Sequence, residues 1–240
     1  AAGAVSIGNG ATATLTLDGT TYTSTGAQTY EANDINITAG ADVTFTTTNT
    51  AVEFQDGAAG QIVLSDDTDL TITTSGGNIT IAPTIAGTDS GGGNTAEDIT
   101  LNAAGGTVTL SNTGAAVLAT DIGDVTLTGA TIALSNSITS TGTNSAGNAA
   151  TIDINGAVTL NDNDITFTTG GADIDFSSTI VSGSTTPRAL TIAQGTGAVV
   201  INGNIGGTAD NDVGNITIGA TGHNGNITLN NEDISFLKPH

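Results

Sequence analysis

The chain has 240 residues, and its 23 Asp and Glu against two Lys and Arg give a formal net charge of −21. Nucleic-acid affinity depends on Lys and Arg that displace counterions, so this charge excludes nucleic acid as a partner. With 34 Gly, 3% aromatic residues and no Cys, Met or Trp, the composition favours strands and turns over helices and excludes disulfides. No apolar run approaches the roughly 20 residues of a membrane helix, so we expect no membrane span.

The first elements along the chain are short units in which two apolar residues flank one polar residue. They begin with Val5-Ser6-Ile7 and recur to the end. Examples are Val43/Phe45, Ile79/Ile81, Ile152/Ile154 and Ile227/Leu229. A period of two places both apolar side chains on one face of a strand. Gly, Asn, Asp and Ser separate the units and are typical of sharp turns.

Near-copies of one unit distinguish a solenoid from an antiparallel sandwich. Gly77-Asn78-Ile79-Thr80-Ile81 recurs as Gly214-Asn215-Ile216-Thr217-Ile218 and as Gly225-Asn226-Ile227-Thr228-Leu229. Such copies are expected where equivalent positions stack rung on rung. We predict an all-β, single-domain parallel β-helix over residues 1–240. It has about three short strands per rung, roughly 20 to 30 residues per rung and on the order of eight to ten rungs.

Three polar segments interrupt this pattern, at residues 82–98, 136–151 and 177–189. They are rich in Gly, Ser and Thr, and two of them contain Pro83 and Pro187. We interpret them as longer loops that leave one corner of the solenoid. Nothing in the composition divides the chain into separate domains.

Several segments resemble the repeats of very large bacterial surface proteins related to filamentous haemagglutinin. They are residues 178–183, 189–193 and 195–207, together with 25–30 followed by 35–38. The resemblance implies a right-handed parallel β-helix. It also implies an extracellular or bacterial cell-surface location and a role in adhesion, biofilm or fibre formation.

Few residues in the sequence are suited to catalysis. Paired carboxylates suit glycoside hydrolysis, and Asp153 and the pair Asp173/Asp175 offer such groups, but the strand alternation points Asp153 and Asp175 outward. A lyase would need a base such as Arg188 or Lys238, which lie in a loop and near the end of the chain. We therefore predict no enzyme, with a polysaccharide-degrading β-helix as a remote alternative.

Acidic clusters in turns are the only candidate metal ligands. Calcium prefers oxygen ligands, and the candidate residues are Asp66, Asp67, Asp69, Asp162, Asp164, Asp210 and Asp212. None of the clusters has the spacing of a known calcium loop, so polar turns are the favoured interpretation and calcium is the one cofactor considered. His223 and His240 lack companions for a metal or catalytic site.

Threonine pairs of the form Thr-x-Thr occur at 44/46, 71/73, 107/109, 126/128 and 166/168. A ladder of such pairs would suggest ice binding. Thr is also a common outward residue of strands, and the pairs do not recur at one constant period. Ice binding is therefore a second remote alternative.

The two ends carry apolar strands where a solenoid exposes unpaired backbone groups. Residues 1–30 and 232–240 are the predicted contacts between subunits. The proposed contact residues are Val5, Ile7, Tyr22, Tyr30, Ile234, Phe236 and Leu237. The sequence predicts a non-catalytic structural subunit that polymerises end to end. The alternative is a passenger segment of a large adhesin that binds a neighbouring cell, a cell surface or a surface polysaccharide.

Overall fold

The computed structural model describes residues 3–56, 60–88, 96–111, 118, 121–144, 146–183, 186–207, 212–219, 223–230 and 233–234. All the secondary-structure elements in these ranges are β-strands, which confirms the all-β prediction. The first twelve are β1 (Val5–Gly8), β2 (Thr14–Leu17), β3 (Thr21–Ser24), β4 (Gln28–Ala32), β5 (Asp34–Ile37), β6 (Val43–Thr47), β7 (Val52–Asp56), β8 (Gln61–Leu64), β9 (Leu70–Thr74), β10 (Ile79–Ile81), β11 (Thr84–Ala86) and β12 (Glu97–Asn102). The others are β13 (Thr107–Leu110), β14 (Ile122–Leu134), β15 (Ile138–Ser140), β16 (Ile152–Leu160), β17 (Ile165–Thr169), β18 (Ile174–Phe176), β19 (Ile180–Ser182), β20 (Leu190–Ala193), β21 (Val199–Ile201), β22 (Ile216–Ile218) and β23 (Ile227–Leu229).

The strands form a coil with three faces, and each strand pairs in parallel with its counterpart one turn later. Face 1 contains β3, β6, β9, β12, residues 122–128 of β14, residues 152–155 of β16, β18, β21 and β23. Face 2 contains β1, β4, β7, β10, β13, residues 131–134 of β14, residues 157–160 of β16 and β19. Face 3 contains β2, β5, β8 and β11, then β15, β17, β20 and β22. The protein is a parallel β-solenoid of about eight turns, which confirms the predicted architecture.

The core is a set of apolar columns that run through successive coils. The pairs Val43↔Leu70 and Phe45↔Ile72 place one inward residue directly over the next, and all four side chains are buried. The intervening Thr or Asp points outward, as the two-residue period predicts. Each fully buried Ile, Leu or Val contributes about 1.5 to 3 kcal/mol. A single coil encloses few such groups, so stability depends on contact between neighbouring coils.

The predicted loops at 82–98, 136–151 and 177–189 are wrong in part, because each contains a strand. These strands are β11, β15 and β19, which pair with β8, β17 and β16. Each has one large inward side chain, Ile85, Ile138 or Ile180, and its other buried position holds a small residue, Ala86, Ser140 or Ser182. The apolar-polar-apolar signal is therefore absent from the sequence, although the strand still completes its rung.

Aspartates at or near the starts of strands on faces 1 and 3 connect consecutive coils. Oδ1 of Asp69 accepts the backbone N–H of Asp98 at 2.8 Å, and Oδ1 of Asp98 accepts that of Asp124 at 2.6 Å. Oδ1 of Asp124 accepts the N–H of Thr151 at 2.7 Å. The same bond runs from Ala189 to Asp164 and from Ala198 to Asp173. Many of the acids therefore satisfy backbone donors between coils.

Candidate functional site

The last described coil leaves its inward side chains partly uncovered. Ile227, Leu229 and Ile234, which we call the C-terminal end surface, are 44%, 39% and 40% exposed. Their partners in the preceding coil are fully buried: Val199, Ile201 and Ile205. The end surface therefore continues the core columns outward. Of the predicted contact residues at this end, Ile234 lies on the surface, and Phe236 and Leu237 lie outside the described residues.

The first coil presents a second surface at the opposite end. Val5, Ile7 and Tyr22, which we call the N-terminal end surface, are half-buried, and Ile7 and Tyr22 pack against the buried core. The Tyr22 ring stacks on Phe45, with centroids 4.7 Å apart and planes inclined by 9°. Tyr30 is only 1% exposed, so its side chain belongs to the core and cannot form a surface contact.

A buried amide holds the first two coils together beneath this surface. Nε2 of Gln28 lies 3.1 Å from each of three acceptors, which share its two N–H groups: the carbonyl oxygens of Tyr22 and Thr46 and Oγ of Ser24. The Tyr30 hydroxyl donates to Oε1 of Gln28, also at 3.1 Å. Because all these groups are satisfied, the network fixes the shape of the N-terminal end.

At both ends, each outermost described strand has one edge that pairs with no other described strand. Within the described part of the chain, β1, β2 and β3 each pair with a single strand, and so do β22 and β23. Such edges present backbone N–H and C=O groups that can template a further strand. Each end therefore combines apolar side chains with free hydrogen-bonding groups.

The first predicted calcium cluster consists of turn and strand-edge residues. Asp67 has a positive φ of 56°, and Oδ1 of Asp66 lies 3.5 Å from the Thr88 hydroxyl. Asp69 is engaged with the amide of Asp98. Burial raises the pKa of Asp69 above its usual range, and the neighbouring carboxylates of Asp98, Asp42 and Asp67 raise it further.

The other calcium candidates also have structural partners. Oδ2 of Asp162 accepts the Ser135 hydroxyl at 2.7 Å, and Asp164 accepts the amide of Ala189. Asp212 is 8% exposed, and its Oδ1 has no hydrogen-bond partner among the described residues. Asp210 lies outside the described residues. In the ranges that the structure describes, no three acidic or His side chains form a group that could hold a metal ion, and calcium binding stays a prediction.

Asp153 and Asp175 lie opposite each other on β16 and β18. Both face outward and are half-buried. Burial raises the pKa of each, and the pKa of Asp175 is raised further by the Asp153 and Asp173 carboxylates. The pair can hold a proton above the usual pH range of Asp. Polysaccharide degradation stays a remote alternative.

Arg188 and His223 contact backbone carbonyls. Nε of Arg188 donates to the carbonyl oxygen of Asn161 at 3.2 Å. Nδ1 of His223 lies 3.1 Å from the carbonyl oxygen of Gly195 and 3.1 Å from Nε2 of the buried Gln194. These contacts connect neighbouring coils, which gives both residues a structural role.

Glu97 is a buried acid that the sequence interpretation missed. It is 1% exposed, and its Oε2 has no hydrogen-bond partner among the described residues. Burial raises its pKa to about 7, and the carboxylates of Asp66 and Asp121 contribute in the same direction. A signal was available, because the two-residue period of Ile99 and Leu101 extends inward to position 97.

The chain matches no family model, no curated protein and no solved structure. Its described part contains no helix long and apolar enough to cross a membrane. The structure therefore establishes only a class of fold: a parallel β-solenoid in which aspartates connect neighbouring coils.

Proposed function

We propose that the chain is a non-catalytic structural protein outside the cell, a β-solenoid subunit that joins other copies end to end in a surface filament or matrix. The observation that carries this proposal is the exposure of Ile227, Leu229 and Ile234 in register with buried core columns. A further coil would cover these side chains in the way that each coil covers its predecessor.

The apolar contribution to such a junction follows from the exposed fractions. Full burial of an aliphatic side chain contributes about 1.5 to 3 kcal/mol. Since about 40% of each of the three side chains is exposed, covering them would contribute roughly 1 kcal/mol per residue. The free strand edges add backbone hydrogen bonds, so a junction of these two ends is a favourable contact of modest strength.

The two ends are geometrically complementary because the coil repeats. In a head-to-tail pair, β23 of one copy would lie beside β3 of the next on face 1, and β22 would lie beside β2 on face 3. The junction uses different surfaces on the two partners and therefore extends as an open filament instead of closing as a dimer. A net charge of −21 per copy opposes this association, so added salt or divalent cations should favour it.

The proposed location is the cell exterior or the bacterial surface, supported by the resemblance to surface-protein repeats. Surface polysaccharide and neighbouring cells are the proposed partners of such a filament. The alternative is a passenger segment of a large adhesin. In that arrangement further coils of the same polypeptide would cover the ends, and the isolated chain would remain monomeric.

Substitution on β23 tests the end-to-end junction. Leu229→Asp places a charge on the C-terminal end surface, whereas Thr228→Asp places the same charge on the neighbouring outward position. We expect electron microscopy and sedimentation to show filaments for the unmodified protein and for Thr228→Asp, and monomers for Leu229→Asp. Dispersed monomers of the unmodified protein at high concentration in millimolar calcium would overturn the proposal.

A further inference from the structure

Face 1 carries a two-column array of threonines on the outward side of five consecutive strands, β3, β6, β9, β12 and β14. The array consists of Thr21/Thr23, Thr44/Thr46, Thr71/Thr73, Thr100/Asn102 and Thr126/Thr128. Of the Thr-x-Thr pairs noted in the sequence, 107/109 lies on face 2 and 166/168 on face 3. The structure therefore brings three of those pairs together and adds Thr21, Thr23 and Thr100.

The columns are aligned residue by residue. Thr21 is the register partner of Thr44, Thr44 of Thr71, and Thr71 of Thr100. Thr100 in turn pairs with Thr126, and no register shift falls within the array. The coils between partners differ in length, from 23 residues (Thr21 to Thr44) to 29 residues (Thr71 to Thr100). Length variation is absorbed at the corners, while the threonines keep their positions.

The other faces do not repeat the full array at their outward positions. In the same coils, the first outward column of face 2 contains Ser6, Thr29, Glu53, Thr80 and Thr109. On face 3 the outward pairs of these coils are Thr14/Thr16, Asp34/Asn36 and Gln61/Val63, and a shorter column of Thr166, Thr191 and Thr217 follows in later coils. Among the described strands, a two-column array over five rungs therefore lies on face 1 alone.

The hydroxyl groups of the array are available to solvent. No hydrogen bond within the described part of the chain engages the side-chain hydroxyls of the nine threonines. Corner threonines behave differently, since the hydroxyls of Thr47 and Thr74 donate to the carbonyl oxygens of Thr50 and Gly77. Each array hydroxyl can donate one hydrogen bond to water and accept others.

The array is also uncharged in a strongly acidic protein. None of its ten positions is charged, and the next two coils, where Asp153 and Asp175 occupy the first column, end it. Asp69, Asp98 and Asp124 lie along one margin, with their carboxylates bound to backbone amides. A surface of methyl and hydroxyl groups without charge is suited to a neutral, hydrogen-bonding partner.

We propose that this threonine array binds the ordered water of an ice surface, so that the protein adheres to ice through face 1. Adjacent strands place threonines about 4.8 Å apart, and alternate residues along a strand place them roughly 6.6 Å apart. The repeat between strands is close to the shorter oxygen spacing on the prism plane of ice, whereas the repeat along a strand is shorter than the longer one. The array therefore follows the lattice most closely in the direction that runs from coil to coil.

Rigidity strengthens this match. The β-branched Thr side chain has restricted χ1 rotation, and the inward neighbours Tyr22 and Phe45 stack at 4.7 Å beneath the first two rungs. A surface that is already ordered loses little conformational entropy when it orders water or contacts a crystal. Many weak contacts can then act together across the array.

Partition into growing ice tests the proposal. The chain and two variants are frozen slowly from dilute solution, and the protein in the ice is compared with that left in the liquid. Thr71→Tyr places a bulky ring in the centre of the array, while Thr109→Tyr places the same ring on an outward position of face 2. We expect the unmodified protein and Thr109→Tyr to enter the ice and to slow its recrystallisation, and Thr71→Tyr to be excluded.

Folding of each variant is checked by circular dichroism and thermal melting. If Thr71→Tyr does not fold, Thr71→Ser, which removes one methyl group from the array, replaces it as the test variant. Leu229→Asp is included because it removes the proposed end contact and leaves face 1 intact, so its retention in ice separates this inference from filament formation. The proposal fails if the unmodified protein is excluded from ice, or if Thr109→Tyr loses as much ice affinity as Thr71→Tyr. If the unmodified protein is excluded from ice but binds crystalline cellulose, the proposal is overturned and the array is a polysaccharide-binding surface instead.

Discussion

Replacement of Glu97 by Gln should stabilise the fold at neutral and alkaline pH. Glu97 is buried in the corner where face 3 leads into face 1, and a Cβ on Gly87 would lie within 3 Å of both its Oε2 and the carbonyl oxygen of Asp121. Burial takes an ionised carboxylate in that place out of water, and among the described residues the backbone N–H groups of Thr88 and Glu97 compensate in part. A neutral amide of the same shape removes the buried charge.

The magnitude follows from the shift in pKa. Burial raises the pKa of Glu97 from 4.5 to about 7, and one unit corresponds to about 1.4 kcal/mol, so the ionised form costs on the order of 3 kcal/mol. Because the folded state binds the proton more tightly, protonated Glu97 stabilises the fold by this amount below about pH 4.5. This stabilisation is lost as the pH rises through about 7. Glu97→Gln should match the original protein at pH 4.5 and exceed its stability at pH 8.

Urea denaturation between pH 4.5 and pH 8 provides the measurement, with Glu53→Gln on the outward side of β7 as the matched control. Asp69, Asp153 and Asp175 also have raised pKa values. The parent and Glu97→Gln therefore both lose some further stability as the pH rises. The informative quantity is the difference between Glu97→Gln and its parent. A difference that stays constant across this range, or one that Glu53→Gln reproduces, would refute the reasoning.

Two further substitutions test how the coils stack. A Cβ on Gly77 would lie 2.1 Å from a backbone carbonyl oxygen of the preceding coil, so Gly77→Ala should cost at least about 1 to 3 kcal/mol in a urea titration. Gly105→Ala meets no atom within 4 Å and should change stability by less than about 0.5 kcal/mol; equal effects would contradict the close approach. Asp124→Ala removes the acceptor of the Thr151 amide and hydroxyl and of the Asn144 amide and should cost about 1 to 3 kcal/mol. Asp124→Asn keeps the bonds to Thr151 and should lose clearly less in thermal melting; a larger loss for Asn than for Ala would argue against the proposed ladder.

The sequence predicted the fold well because the inward pairs are a local signal. Val43/Phe45 and Ile79/Ile81 identify a one-sided strand without reference to any distant residue. The strands β11, β15 and β19 escaped prediction because each places only one large apolar side chain inside. Their presence depends on the coil above and below, which no local pattern records.

The candidate sites were harder to predict because they depend on register between coils. Thr21 and Thr100 join one column only after coils of different length have been closed at the corners. The partners of Asp69 and Asp164 are backbone amides one coil away, so the sequence could not distinguish these acids from calcium ligands. The burial of Tyr30 likewise comes from its contacts with Phe45 on face 1 and with Phe54 in the next coil.

The parallel register between coils also determines how the rod would respond to force. The hydrogen bonds between coils run along the rod axis, so an axial pull would open them one coil at a time, starting at an end. A released coil of about 25 residues would extend by roughly 80 Å, given about 3.4 Å per residue. A tether built in this way would lengthen in steps and dissipate energy before it broke, which is a useful mechanical property for an attachment exposed to flow.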